Sequence, residues 1–326
     1  MTKDNREHKK AVVIGGGTGL STILRGLKVV SSLDLTAIVT VGDDGGSSGI
    51  LREELKMPPP GDIRNVLVAL AEKEPLLQSL FQHRFQHGDQ LSGHSLGNLL
   101  IAGMKEITGD FVTAVKALSR VLAVRGTVLP AANQSIKLTA HMDDGSIVSG
   151  ESNIPKANKR IERLKLEPPD IEALPEALQA IEEADIVLIG PGSLYTSIIP
   201  NLLVPGIQTA LKETSADIIY IANVMTQPGE TDNYDVKDHI DAIYRHVSFP
   251  LFQKAIVNTG LIPPEVVERY KLEGASPVTY QPNSLADKHI EVIEDTLYQM
   301  NNYVRHDAQR LKEIVLHCLY GHGYRK

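Results

Sequence analysis

A short apolar run, Ala11-Val12-Val13-Ile14, ends abruptly in Gly15-Gly16-Gly17-Thr18-Gly19. A helical pattern follows at once, with Leu20, Ile23, Leu24 and Leu27 three and four residues apart. The next apolar run, 35–41, stops at Gly42-Asp43-Asp44-Gly45-Gly46. Strand, glycine turn, helix, strand is the opening of a βαβ unit, and such a crossover joins parallel strands. The sequence therefore predicts an α/β fold, a Rossmann-like doubly wound and mostly parallel sheet with helical and β-hairpin insertions.

The rest of the chain fits that frame. Residues 62–71, 95–104 and 111–122 carry apolar side chains at helical spacing. From 127 to 150 the period changes: Ile136, Leu138 and Ala140 alternate with Lys137, Thr139 and His141, and Asp143-Asp144-Gly145 supplies a turn. This predicts a β-hairpin inserted between two α/β halves. After Pro168-Pro169 the pattern gives a helix over 171–183, strands over 184–190 and 217–224, and a helix over 236–246. A last core strand falls at 255–258, and an amphipathic helical tail at 290–320. We expect a charged leader, 1–10, and one nucleotide-binding domain, 11–326, with its insertions at about 57–165.

Composition narrows the function. The 326 residues are 42% hydrophobic and 22% charged, ordinary for a soluble domain, and carry a net charge of −7. That balance argues against broad nucleic-acid binding, which needs clustered Lys and Arg. It leaves room for a nucleotide, since backbone amides alone can hold a phosphate. The single cysteine, Cys318, excludes a disulfide framework and a cysteine zinc site and reads as a packed thiol. The leader lacks the apolar stretch of a signal peptide. The uncharged run 186–211 is broken by Gly190, Pro191, Gly192, Pro200, Pro205 and Gly206, so it reads as strand, loop and short helix rather than a membrane span. We expect a cytoplasmic protein.

Six loops carry the chemistry. The first glycine turn points free amides and a helix dipole at one place, which suits a phosphate; the alternative is a tight turn without a ligand. Its spacing places Leu20 in the third slot of the dinucleotide fingerprint, and no Walker lysine follows. A generic dehydrogenase and a P-loop NTPase are both disfavoured. Asp43 and Asp44 leave the carboxyl end of the second strand, where they can accept from hydroxyls or hold Mg²⁺; an ordinary Asp-Gly turn with a cap at Ser47 or Ser48 also fits. After Pro58-Pro59-Pro60-Gly61, Asp62 is a ligand group or an N-cap, and Arg64 and Asn65 are contact candidates. Ser95 and Asn98 belong to a small-residue loop, 92–98, that admits a ligand or lets helices pack. Its His94 has no Ser or Asp partner at a diagnostic spacing and reads as structural. Gly192 and Ser193 form a second anion-site candidate. Asn223, Thr226 and Gln227 offer amides and a hydroxyl suited to a base or sugar. Loops of this kind at strand ends converge on one cleft. No His pair or Cys cluster suggests zinc.

Taken in order, Gly15–Ser21, Thr40–Gly49, Pro58–Asn65, Ser92–Asn98 and Gly190–Thr196 resemble the motifs of the gluconeogenesis-factor family (YvcK-type), a branch of the CofD-like group. The resemblance runs from about Lys10 to the C-terminal helix. It implies a Rossmann-like fold and a cytoplasmic regulator, without a settled reaction, that binds UDP-sugars such as UDP-N-acetylglucosamine. It also implies a role in cell shape and envelope synthesis during gluconeogenic growth, exercised through protein partners the sequence does not identify. On this reading phosphates sit over Gly16, Gly17, Thr18 and Gly19, Asp44 and Asn65 lie near hydroxyls, and Asn223–Gln227 face the base. No cofactor is required, and a homo-oligomer is compatible. The runner-up is a phospholactate-transferase-like enzyme with Mg²⁺ on Asp43 and Asp44. A weaker third reading is opportunistic NAD binding.

Overall fold

The computed structural model describes residues 8–72, 75–300 and 303–321. Residues 1–7 of the expected leader lie outside them, and its last two join the first strand, β1 (Lys9–Gly15). The chain then runs α1 (Gly17–Leu27), β2 (Leu33–Val39), α2 (Gly46–Leu55), α3 (Gly61–Leu70), α4 (Pro75–Gln82), α5 (Leu96–Thr108) and α6 (Phe111–Val121). The middle comprises β3 (Thr127–Pro130), β4 (Lys137–Met142), β5 (Ile147–Ser149), β6 (Ile161–Glu167), α7 (Pro175–Glu182) and β7 (Ile186–Ile189). Next come α8 (Ile199–Leu202), α9 (Pro205–Glu213), β8 (Asp217–Ile221), α10 (Val236–Val247), β9 (Lys254–Asn258) and α11 (Pro264–Leu272). The chain closes with β10 (Glu291–Asp295), β11 (Tyr298–Met300), β12 (Val304–His306) and α12 (Ala308–Tyr320).

Seven strands form a parallel sheet in the order β10-β9-β8-β7-β1-β2-β3. Both faces are covered, as a parallel sheet requires. Strand alternation separates two cores: Val12, Ile14, Val187 and Ile189 face one, and Ala11, Val13, Ile186 and Leu188 face the other. Leu20, Ile23, Leu24 and Leu27 of α1 join the second core beside α3, α5 and α12, whose residues there include Ile63, Ile101 and Leu311. Successive strands run from β1 outward in both directions, so the order reverses between β1 and β7. In open α/β sheets that switch point, at the carboxyl ends of the strands, is where a crevice opens.

Several expectations need correction. The 127–150 segment is not one hairpin. Thr127–Pro130 joins the main sheet parallel to β2, while β4 and β5 form the expected antiparallel pair and gain β6 as a third strand. The helix expected over 171–183 begins only at Pro175, because the Leu174 N–H goes to the Ala131 carbonyl (3.0 Å) and not into a helix. The tail expected as one helix over 290–320 holds an edge strand, a hairpin and a shorter helix. β-branched Val292 and Ile293 lie in β10, parallel to β9, and Asp307 starts α12 by accepting the N–H groups of Gln309 and Arg310. Among the described residues no helix is long and apolar enough to cross a membrane.

Helix α1 is held at its carboxyl end by contacts that admit no extra bulk. Lys28 Nζ caps α3 by donating to the carbonyls of Ala69 (2.8 Å) and Ala71 (2.7 Å). Gly26 faces α12, and a Cβ added there would collide with the Ala308 backbone carbonyl. The variant Gly26→Ala therefore has to lift α12, a rigid-backbone overpacking that costs about 1–3 kcal/mol. Urea denaturation should show the midpoint falling by that equivalent; an unchanged midpoint would mean α12 is not seated on α1 in solution.

Candidate functional site

The crevice between β1 and β7 is a cleft of about 210 Å³ lined by three strand-end turns: Gly16–Gly19 and Thr22, then Pro191–Ser193, then Asn223–Met225 with Gln227. A fourth segment, Val304, Arg305 and His306 of β12, closes its mouth. Arg305 donates to Thr18 Oγ1 (3.2 Å), which brings its guanidinium over the start of α1. His306 is buried with its Nε2 against the Ala222 carbonyl (2.9 Å), and burial pushes its pKa down to about 4. It is therefore a neutral prop for the hairpin.

The first turn of α1 leaves N–H groups with no acceptor inside the helix, and its dipole places positive potential there. Gly17 needs to be glycine, at φ +64°, to turn the chain into that helix. The second turn backs onto the first. A Cβ at Gly19 would stand 2.6 Å from the Pro191 carbonyl oxygen, and one at Gly192 3.3 Å from the Gly16 carbonyl oxygen. Asn201 Nδ2 reaches the Gly15 carbonyl (3.0 Å). Asn223 grips Gly192 from both sides, accepting its N–H (3.2 Å) and donating to its carbonyl (2.8 Å). Asn223 thus lines the cleft while part of its side chain is spent holding the turn.

Beyond the glycine turn lies a second cavity, of about 200 Å³, lined by Asp43, Ser47, Ser48, Asp62, Arg64, Asn65, Arg84 and Asn98, with Gly45, Gly46 and Gly61. The candidate residues therefore divide. Gly16, Gly17, Thr18, Gly19, Gly192, Ser193, Asn223 and Gln227 meet in the first cavity, and Asp43, Asp62, Arg64, Asn65 and Asn98 in the second. Asp44, Ser95 and Thr226 line neither. Asp44 Oδ1 accepts the Ser152 N–H (2.8 Å) and ties the loop to the β insertion. Ser95 is buried, its hydroxyl on the Phe81 carbonyl (3.2 Å). Thr226 pairs with Ser276 through both backbone and hydroxyl.

The joint between the cavities is Asp62. A Cβ at Gly16 would strike its carboxylate, which accepts the Gly17 N–H and so occupies one donor of the α1 N-terminus. Asp62 is half-buried; desolvation, then the neighbouring Asp43, push its pKa up to about 7 against the pull of Gly17 and Arg64. Glu151, after β5, is raised to about 8, first by burial and then by Asp43, Asp62, Asp44 and Glu230. Burial alone raises Glu230 to about 7. Arg64 donates to Asn98 Oδ1 (3.1 Å) and Asn65 Oδ1 (2.9 Å), with burial and Arg84 lowering its pKa.

Asp43 and Asp44 are engaged by different partners. Asp43 Oδ1 accepts the Gly45 N–H (2.9 Å) and its other oxygen backs onto Gly61, while Asp44 Oδ2 backs onto Gly150, where an added Cβ would lie 2.6 Å away. Among the described residues no group of three His, Cys, Asp or Glu side chains is set to hold a metal ion.

His94 has a partner that sequence spacing hid. Its Nδ1 is 3.1 Å from Ser47 Oγ, which also accepts from the Ser95 N–H and Asn98 Nδ2 (both 3.2 Å). The group is buried and joins the start of α2 to the start of α5, which corrects the expectation that His94 has no Ser partner. Arg305 was missed because it fell inside the expected helical tail. The signal was present in Val304-Arg305-His306 ahead of the cap residue Asp307. Glu151 and Arg84 carry no motif, and Glu230 falls in the 223–231 loop without a pattern that singles it out.

The model of the family described as 2-phospho-L-lactate transferase CofD matches residues 11–298. A gluconeogenesis factor of Halalkalibacterium halodurans is 54% identical over 94% of this chain and 96% of its own length. That of Bacillus subtilis is 52% identical over 95% and 98%. A crystal structure of a UPF0052 family member from Bacillus halodurans superposes with a TM-score of 0.92 at 54% identity, covering 94% of this chain and 99% of that one.

Because the folded-state pKa of Asp62 lies above its unfolded value near 3.8, the folded protein loses stability as pH rises from about 4 to 7, and the penalty is complete above 7. Asp62→Asn keeps an acceptor for Gly17 and removes the charge. Thermal melts should show it more stable than the parent by about 1 kcal/mol at mildly alkaline pH, after allowance for solvent screening, and level with it in acid. A difference that did not vary with pH would contradict this.

Proposed function

The chain belongs to the CofD family, among the gluconeogenesis-factor homologues, and from that premise we propose that it is a cytoplasmic nucleotide-sugar-binding regulator, with UDP-N-acetylglucosamine or a related UDP-sugar as its ligand. The observation that carries the reading is the cleft at the switch point, which has two chemically different ends. At one end the amides of the α1 N-terminus and the Arg305 guanidinium suit a diphosphate. At the other, Ser193, Asn223 and Gln227 suit the base. The second cavity, with Asn65, Asn98 and Arg64, offers the polar lining a sugar needs. Its separation from the first by Asp62 fits a ligand longer than a mononucleotide.

The reading is one of binding. Regulation of envelope synthesis and cell shape during gluconeogenic growth would then follow from how ligand occupancy is reported to partner proteins.

Calorimetric titration tests this, with UDP-N-acetylglucosamine, GDP and NAD, each with and without Mg²⁺. The expected result is micromolar UDP-sugar affinity that persists without metal and yields no product. Arg305→Ala should weaken it at least about tenfold by removing a charge-assisted contact, and Gly19→Ala should abolish it by pushing the Pro191 turn away. Preference for GDP with strict Mg²⁺ dependence would sink the reading in favour of a transferase, the activity for which the CofD family is named.

A further inference from the structure

Glu230 lies on the segment after β8 and is 4% exposed. It is not among the residues lining the cleft, yet a hydrogen-bond relay leads from it to one that is. Its Oε2 accepts the Tyr195 N–H (3.1 Å), and its Oε1 accepts the Thr196 hydroxyl (3.0 Å) and Gln227 Nε2 (2.6 Å). Gln227 Oε1 in turn takes the Ser193 hydroxyl (2.5 Å). Ser193 and Gln227 both line the cleft.

The direction of this relay is set by chemistry. A carboxylate can only accept, so the amide of Gln227 must turn its NH₂ toward Glu230 and its oxygen toward Ser193. Facing an amide oxygen, Ser193 must use its one proton there. What remains on Ser193 Oγ for the cleft is lone pairs. The hydroxyl, which alone could donate or accept, has been made an acceptor.

We propose that Glu230, acting through Gln227, fixes Ser193 as an acceptor facing the cleft, so that the site selects a base bearing an N–H donor over one presenting a lone pair at the same place: uracil over cytosine. This rests on the preceding reading, which lays the base against Ser193, Asn223 and Gln227. Uracil N3 carries a hydrogen where cytosine N3 carries a lone pair, and a lone pair set against the Ser193 oxygen leaves both unsatisfied. Glu230 touches no ligand in this scheme; it is a positioning residue.

The relay makes a directional test. In Glu230→Gln the atom facing the Tyr195 N–H must be oxygen, since a backbone N–H can only donate. The new NH₂ then faces Thr196 and Gln227. Gln227 must flip, its NH₂ donates to Ser193, and the Ser193 proton is released into the cleft. The preference should reverse with the fold intact.

Calorimetry with UDP and CDP, at mildly alkaline pH where Glu230 is charged, reads it. The parent should favour UDP by about tenfold or more, and Glu230→Gln should lose UDP affinity while gaining for CDP. Ser193→Ala, a small truncation at a half-buried site, should bring the two nucleotides to near parity and guards against a misfolded Glu230 variant. A merely structural role for Glu230 would lower both affinities alike, and that result, or a parent indifferent to UDP and CDP, overturns the proposal while nucleotide binding stands. If neither UDP nor CDP binds, the nucleotide reading and this inference are overturned together.

Discussion

Everything at the site depends on how closely two strand-to-helix turns approach one another. The turn after β1 and the turn after β7 meet backbone to backbone, with Gly19 under Pro191 at a separation that leaves no room for a side chain and Gly192 beside Gly16 at one that leaves little. Adjacent parallel strands lie about 4.8 Å apart, so turns leaving their carboxyl ends on either side of the switch point are brought together by the sheet itself. Glycine turns that closeness into an exposed ring of peptide groups. Asn201 and Asn223 then bond those groups that the turns cannot satisfy between themselves, Asn201 on Gly15 and Asn223 on Gly192. The cleft is therefore rigid before any ligand arrives, and ordering costs that a flexible loop would impose on binding are already met.

That rigidity comes with an electrostatic tension. The α1 N-terminus attracts anions, yet one of its amides is already held by Asp62, and Asp43 beside it adds negative potential at the joint. A phosphate arriving over Gly17–Gly19 meets a carboxylate that it must outcompete or see protonated. Arg305 answers part of this, since it approaches from the hairpin at the mouth and not from the acidic side. The raised pKa of Asp62, near 7, means that the proton needed to relieve the repulsion is available close to neutrality. Charge around the site is thus balanced between a fixed cation at the rim and a titrating acid beneath.

The parts of this arrangement that could be read from the sequence are those written in local pattern. Apolar runs ending in glycine gave β1, β2 and β7 and the turns between strand and helix, because a buried parallel strand and a φ-positive turn each leave a compositional trace. The alternation at 136–141 gave β4. What stayed hidden was set by pairing at a distance. β6 and β10 are strands because β4 and β9 are beside them, and Glu291-Val292-Ile293-Glu294 carries apolar spacing that suits a helix as well as an edge strand. Arg305 went unseen for that reason. The division of the Asp43–Asn98 residues from the glycine turn, and the separate partners of Asp43 and Asp44, depend on tertiary placement that adjacency in sequence does not encode.

Asn223 and Gln227 show what such placement does to a functional reading. By residue type both are suited to a base, and both line the cleft, yet each uses its amide first on the protein. An amide that is free to flip offers either face to a ligand and discriminates poorly. One whose NH₂ is committed to a carboxylate, as in Gln227, offers a single face and passes that polarity to its neighbour. On the proposed reading, selectivity at this end of the cleft would come from the order of donors and acceptors in the chain behind the wall, anchored by a carboxylate that can only accept. The same logic sets the other end, where backbone amides and a guanidinium can only donate. A ligand that satisfies both must present acceptors to α1 and a donor to Ser193, and a uridine diphosphate joined to a sugar carries the two in that order along its length.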